Sequence, residues 1–214
     1  MLKSSSCVGL IVAFGLLGCD AVRPAPVVQN TTMRIPPGTL DKVAVVPFYP
    51  KETLAKYSSE GVSPAAAAEL VARFMTEALA RRGIRVVAPS DLEIAFVGQG
   101  IPAPRLDPKA AAELAAHKFG ATAVMLGQVS RCRERGGESY GSSRAASVAF
   151  EISIYTAPTP HRVWTSKFDE TQRALSENVF NAPRYPGGGT RWLTAAELAK
   201  WGADSAAASL PLSR

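Results

Sequence analysis

The chain has 214 residues, 47% of them apolar and 20% charged, with a net charge of +6. That length suits one domain of ordinary size with a tail, and the apolar share excludes disorder throughout. Alanine supplies 35 residues, so the core is expected to be built from small side chains. The basic balance alone would suit nucleic acid, a partner that the N-terminus argues against.

Met1-Leu2-Lys3 is a short basic start, followed by the ten-residue apolar run Val8–Leu17. Such a run is too short to span ~30 Å of hydrocarbon but suits the apolar region of a secretory signal. Leu16-Leu17-Gly18-Cys19 closes it. This tetrapeptide resembles the lipobox of bacterial lipoproteins. The resemblance implies that Leu16, Leu17 and Gly18 are recognised by a signal peptidase. It also implies that residues 1–18 are removed and that Cys19 carries acyl chains, palmitate among them. Two or three chains anchor a protein stably where one holds it only marginally. The competing readings are an ordinary cleaved signal with a chance cysteine, or a cytosolic protein with an apolar start. Cleavage before Cys19 would leave 196 residues and, with Lys3 gone, a net charge of +5. Cys132 would be the one remaining thiol, so an intramolecular disulfide is excluded and a buried or half-buried side chain is expected. Asp20 resembles the inner-membrane retention signal of enteric lipoproteins, a rule that varies between bacterial groups, so inner and outer membrane both stay open.

Residues 19–41 hold four prolines and no helical period. They read as a tether, with a first strand around Val27–Val28 as the alternative. A single α/β (α+β) domain is expected over residues 42–210. Val43–Phe48 is a continuous apolar strand. Ser63-Pro64 opens a helix whose inner face would be Ala67, Leu70, Val71, Phe74 and Ala78, and Arg81-Arg82-Gly83 ends it. Ile84–Ala88 is the next strand, completing a right-handed βαβ unit. Pro89-Ser90-Asp91 caps a short helix through Phe96, and residues 98–104 form a loop. Asp107-Pro108 caps another helix, stopped by Gly120. Thr122–Ser130 is a strand and residues 131–146 a polar loop. Val148, Phe150, Ile152 and Ile154 alternate with more polar residues, as in an antiparallel strand. Pro158-Thr159-Pro160 turns the chain into a last strand, Arg162–Phe168. Residues 170–181 are compatible with a helix and residues 184–190 with a loop. Thr194-Ala195-Ala196-Glu197 is a capping box that opens a C-terminal helix. The sum is a mixed sheet of about five strands, starting with the βαβ unit and ending in an antiparallel hairpin, with helices packed on it.

No catalytic constellation emerges. His117 and His161 are the only histidines, too few beside one free thiol for a zinc site, so no metal is expected. His117 reads as a helix C-terminal cap and His161 as a turn residue. Gly98-Gln99-Gly100-Ile101-Pro102-Ala103 fits G-x-G-x-x-A only superficially: a helix precedes it and prolines follow, the reverse of a dinucleotide site. The glycines at 187–189 lack the Lys-Ser/Thr of a phosphate loop, and no Gly-x-Ser-x-Gly occurs. Asp169, Glu170 and Glu177 read as caps and solvated charges. No cofactor and no small-molecule substrate are expected. Arg131, Arg133 and Arg135 alternate; they form either a solvated hairpin rim or a patch for an anionic partner. Trp192 and Trp201 read as aromatics that dock the terminal helix.

Lys42–Phe48, Gly83–Val87, Ser90-Asp91-Leu92, the stretch from Ala115 through Phe119-Gly120-Ala121-Thr122 to Val129, and Arg162-Val163-Trp164 follow one another in a telling order. This order resembles the fold shared by the penicillin-binding-protein activator lipoproteins, the curli-secretion lipoprotein and the N-terminal domain of the TolB translocation protein. The resemblance covers about residues 42–168. Its motifs specify strand and helix joints, so it implies fold strongly and function weakly. It implies a non-enzymatic, lipid-anchored, periplasm-facing accessory that binds an envelope protein, activating or assembling a machine such as a cell-wall synthase. The alternative is an oligomeric secretion or assembly component. The polar, glycine-rich stretch at 131–146 departs from the long alternating strands that a membrane pore needs.

Overall fold

The computed structural model describes residues 27–52, 54, 63–100, 107–173, 185–188 and 190–212. Among them are nine strands: β1 Val28–Thr32, β2 Lys42–Val45, β3 Tyr49–Pro50, β4 Arg85–Val87, β5 Ala123–Arg133, β6 Gly136–Glu138, β7 Gly141–Arg144, β8 Ser147–Thr156 and β9 Arg162–Thr171. The four helices are α1 Pro64–Arg81, α2 Pro89–Gly98, α3 Pro108–Phe119 and α4 Ala195–Ser209.

The main sheet is mixed and has seven strands, in the order β1-β9-β8-β5-β2-β4, with β3 also paired to β5. β2 is parallel to both β4 and β5, whereas β5-β8, β8-β9 and β1-β9 are antiparallel. The chain leaves β2 through α1 to reach β4 on one side, then returns through α2 and α3 to β5 on the other. Right-handed crossovers in opposite directions place their helices on opposite faces, so two cores form. The larger contains Val43, Met75, Phe150, Ile152, Trp164, Phe168, Leu198 and Ala203; the smaller contains Ala44, Val87, Leu92, Phe96, Ala111, Ala115 and Val124.

The helix signals at α1, α3 and α4 act as read, whereas at α2 Ala88 holds the cap position without a side-chain hydrogen bond and Pro89 is the first helical residue. Ser63 Oγ accepts from Ala66 N, and Asp107 accepts from Lys109 N. Thr194 and Glu197 form the full capping box of α4. The buried face of α1 is rotated from the expected one: Met75 and Leu79 are buried, and Leu70 and Phe74 are only partly so. Alanines at 67, 68, 72 and 78 fill that face and let α4 approach. The Arg82 guanidinium at the end of α1 donates to the Ala207 and Leu210 carbonyls that end α4.

Four differences from the sequence reading have local causes. The sheet has seven strands rather than about five, because β1 and the short β3 add to it. β1 lies within the segment read as a tether: Val28 is buried opposite Phe168, while Gln29 to Thr32 are exposed at the sheet edge. The apolar strand 43–48 is broken: Leu126 and Gly127 of β5 face the three residues 46–48 of β2–β3, and Phe48 lies across Gly127, where a Cβ would come within 2.4 Å of the ring. The stretch 131–146 is no single loop; β5 runs on to Arg133 and the hairpin β6-β7 follows. Of the helix expected at 170–181, residues 170 and 171 end β9, and 174–184 lie outside the described residues.

Candidate interaction surface

The two faces of the sheet are unlike. One is covered by α1 and α4 along its length. On the other, α2 and α3 cover the β4-β2-β5 side, and beyond them the sheet displays polar rows. Gln128, Glu151, Lys167 and Gln29 stand in register across β5, β8, β9 and β1, and next to them Ser153, Thr165 and Thr31. These side chains are exposed or half-buried. Tyr49 Oη donates to Gln128 Oε1 at 2.8 Å, and the Ser153 and Thr165 hydroxyls are 3.2 Å apart. Burial, with the nearby Glu151 carboxylate and Tyr155, raises the Tyr49 phenol above its ordinary pKa. Antiparallel sheets tolerate one such solvated face, since alternation sends every second side chain there.

The arginine strip borders this face. Arg131 and Arg133 stand opposite Ala149 and Ser147 of β8. The Arg131 guanidinium donates to Ser147 Oγ and to Asp169 across β8, both at 2.5 Å. Its stem lies over small residues, as long cationic side chains often do. Nε of Arg133 is buried and has no hydrogen-bond partner among the described residues. Arg135 lies past the strand end and donates to the Trp192 carbonyl at 3.2 Å. Arg131 and Arg133 therefore share a face, Arg131 with its charge paired, whereas Arg135 belongs to the junction with α4.

Several polar side chains meet at that junction. Both carboxylate oxygens of Glu134 accept from Ala195 N, at 3.2 and 3.1 Å, adding an anion at the N-terminus of α4. Gln172 accepts from Leu193 N at 2.7 Å and donates to the Arg191 carbonyl at 2.8 Å. Arg191 and Glu197 pair through two bonds of 2.9 and 2.6 Å. This pairing, together with the Thr194 backbone bond, brings the Glu197 carboxyl down to about pH 2. Trp201 packs edge-on against Phe168 at 5.9 Å and against Tyr185 at 5.2 Å, so it docks the terminal helix as expected. Trp192 N donates to the Ser139 carbonyl, tying the hairpin tip to the same junction. Sequence reasoning missed Glu134 and Gln172: both act across long stretches of chain and lie in no motif.

Cys132 is buried between strands, and burial, with Glu134 nearby, pushes its thiol up to about 11. His117 and His161 are exposed. Among the described residues, no group of three His, Cys, Asp or Glu side chains could hold a metal ion, and no helix is long and apolar enough to cross a membrane. Gly98 ends α2, and Gln99 and Gly100 follow in a turn; residues 101–103 of that glycine motif, with Leu16, Leu17, Gly18, Cys19 and Glu177, lie outside the described residues.

Among the described residues, two large apolar side chains on one helix face solvent together. On α2, Ile94 and Val97 are 71% and 72% exposed. Ile94 borders a shallow depression shared with Ala95 and Phe119 and rimmed by Asp91, Gln99 and Lys118, and Val97 lies one turn further along the helix. Single exposed apolar residues are ordinary, but two large ones beside an aromatic form a small patch.

No family model matches the chain, and no curated protein matches it. Solved structures similar in fold include a PelC dodecamer from Paraburkholderia phytofirmans, 17% identical over 70% of this chain and 87% of that one, with a TM-score of 0.38. The lipoprotein GNA1162 from Neisseria meningitidis is 16% identical over 61% of this chain and 83% of that one, with a TM-score of 0.41. The LpoB C-terminal domain from Salmonella enterica is 18% identical over 62% of this chain and 84% of that one, with a TM-score of 0.40.

Proposed function

We propose that this protein is a lipid-anchored, non-enzymatic accessory of the cell envelope that works by binding another envelope protein. The observation that carries the reading is Leu16-Leu17-Gly18-Cys19 at the end of a short apolar run, joined by a few residues to a folded sheet. Acylation of Cys19 would hold the domain at one membrane face and raise its concentration beside membrane partners. The Ile94–Val97 patch on α2 supports a protein partner: it is apolar and solvent-facing, with the carboxylates of Asp91 and Glu93 beside it. The polar groups around α4 support structure rather than chemistry, because they are bonded to each other. Activation or assembly of a partner such as a cell-wall synthase would follow from docking of a rigid surface.

Changing Cys19 to Ala tests the anchor. The variant is expected to leave the membrane fraction and to lose palmitate labelling; retention with label would overturn the reading. A photo-crosslinking residue at position 97 of the lipidated protein tests the partner. Capture of an envelope enzyme supports an activator, and capture mainly of the chain itself favours the assembly reading.

A further inference from the structure

We infer that the β6-β7 hairpin end of the domain rests on the headgroup layer of the bilayer that holds Cys19, with Tyr140 seated in that layer. The inference rests on the proposed lipidation of Cys19 and adds an orientation to it. The sheet begins at Val28, so the tether is much shorter than the run of residues 19–41 suggested. Nine chain steps separate Cys19 from Val28, and a fully extended chain covers at most ~3.3–3.6 Å per residue, roughly 30 Å in all.

That reach selects one end of the domain. Val28 stands in register with Phe168, Phe150 and Val129. It therefore lies near the ends of β5 and β9 and the start of β8, where the hairpin projects. β1 then runs away from that end. Reaching the opposite end, at the β8-β9 turn, means passing back along β9 from Phe168 to His161. Those seven residues span about 23 Å at ~3.3 Å each and leave about 7 Å of the fully extended reach. The β4 edge is five strand spacings from β1, about 24 Å at ~4.8 Å per spacing, before any detour around the helices. The hairpin end, the outer edge of β1 and the polar rows that begin at Gln29 are within easy reach.

Chemistry separates them: the polar rows pair Lys167 with Glu151 and hold no exposed aromatic side chain among the described residues. The β1 edge shows Gln29, Asn30, Thr31 and Thr32, all exposed and uncharged, with no aromatic group. The hairpin carries Tyr140 at its turn, 84% exposed. A tyrosine combines an apolar ring with a hydroxyl and suits the membrane–water interface. Ser139 holds the turn in place through its carbonyl bond to Trp192 N, so the ring projects from a fixed base. Charge contributes little: among the described residues the exposed charged groups at this end are Lys51, Arg144 and Arg173 against Glu52, Glu138 and Asp169. The contact is therefore set by the tether and the ring and should survive raised salt. The Ile94–Val97 patch, on the β4 side of the sheet, is left facing away from the bilayer.

Headgroup quenching tests this in the full-length lipoprotein. Cys132 is buried, so a cysteine introduced on the surface takes the fluorophore. Variants Glu138→Cys, Thr159→Cys and Val97→Cys are labelled and reconstituted in vesicles of phosphatidylethanolamine and phosphatidylglycerol with headgroup spin-labelled phosphatidylcholine. The label at position 138 is expected to be quenched several-fold more than those at 159 and 97, with little change in high salt. Adding Tyr140→Ser to the Glu138→Cys variant should reduce that quenching. Equal quenching at all three positions, or stronger quenching at 159 or 97, would overturn the orientation while leaving the anchor standing. An intact mass showing no acyl chain on Cys19 would overturn the orientation and the anchor together.

Discussion

Phe168 and Lys167 are neighbours on β9 that face opposite sides of the sheet, and they meet opposite environments. Phe168 stacks on Phe150 at 5.1 Å, touches Trp201, and lies under α4 at Gly202. Lys167 lies between Glu151 and Gln29 in a polar row and is exposed. The parallel strands β2, β4 and β5 receive helices on both faces because their crossovers put helices there. The antiparallel strands β8, β9 and β1 need cover on one face only. Stability should therefore be concentrated under α1 and α4, and the polar face should tolerate change.

Phe168→Ala should show the largest effect. It removes a fully buried ring from the contact between β8, β9 and α4, and buried Phe-to-Ala changes cost about 3–5 kcal/mol. Chemical denaturation should show the midpoint falling accordingly. Gly202→Val comes next. A Cβ at Gly202 would lie 2.8 Å from the Phe168 ring, so α4 must lift or the ring must turn, a cost of about 1–3 kcal/mol. If Gly202→Val is neutral while Phe168→Ala is not, α4 is less closely seated than its packing indicates.

Glu197→Gln should act through pH. The Glu197 carboxyl lies near 2 in the folded protein against an ordinary 4.5, chiefly through its bonds to Arg191. A group depressed on folding contributes stability above its unfolded pKa and loses it as pH falls through the folded value. Thermal melts of the wild type should therefore lose stability between about pH 4.5 and pH 2 in a component that Glu197→Gln lacks. Both side chains are partly exposed, so solvent screening keeps the effect below those of the core substitutions.

The covered half of the molecule was far more legible in the sequence than the rest. Apolar runs marked β2, β5 and β8, and Ser63-Pro64, Asp107-Pro108 and Thr194 to Glu197 marked helix starts, because each signal is complete within a few residues. The expected burial of Cys132 rested on its being a lone thiol in an exported chain, while its own stretch read as a loop. β1 carries only one inward apolar residue, Val28, and its partner strand lies near the other end of the chain. The β6-β7 hairpin shows no apolar alternation at all. The arginine strip was visible as a spacing, but the pairing of Arg131 with Asp169, 38 residues away, was not. Nor was the capping of α4 by Glu134, 61 residues before it. Such contacts need tertiary placement before any local rule applies.

The smallest expected effect makes the sharpest check on the contrast between faces. Lys167→Thr keeps a residue suited to a strand and removes one charge opposite Glu151. If the polar face is solvated, the lost cross-strand attraction and the gained β-branched side chain nearly offset, and stability should change by less than about 0.5 kcal/mol. Denaturation of the purified, delipidated domain over a range of protein concentrations would measure this. A loss as large as that of Gly202→Val, growing with protein concentration, would mean that the face is covered by a second copy in solution. The polar rows would then be an interface, and the contrast between the two faces would hold only for the isolated chain.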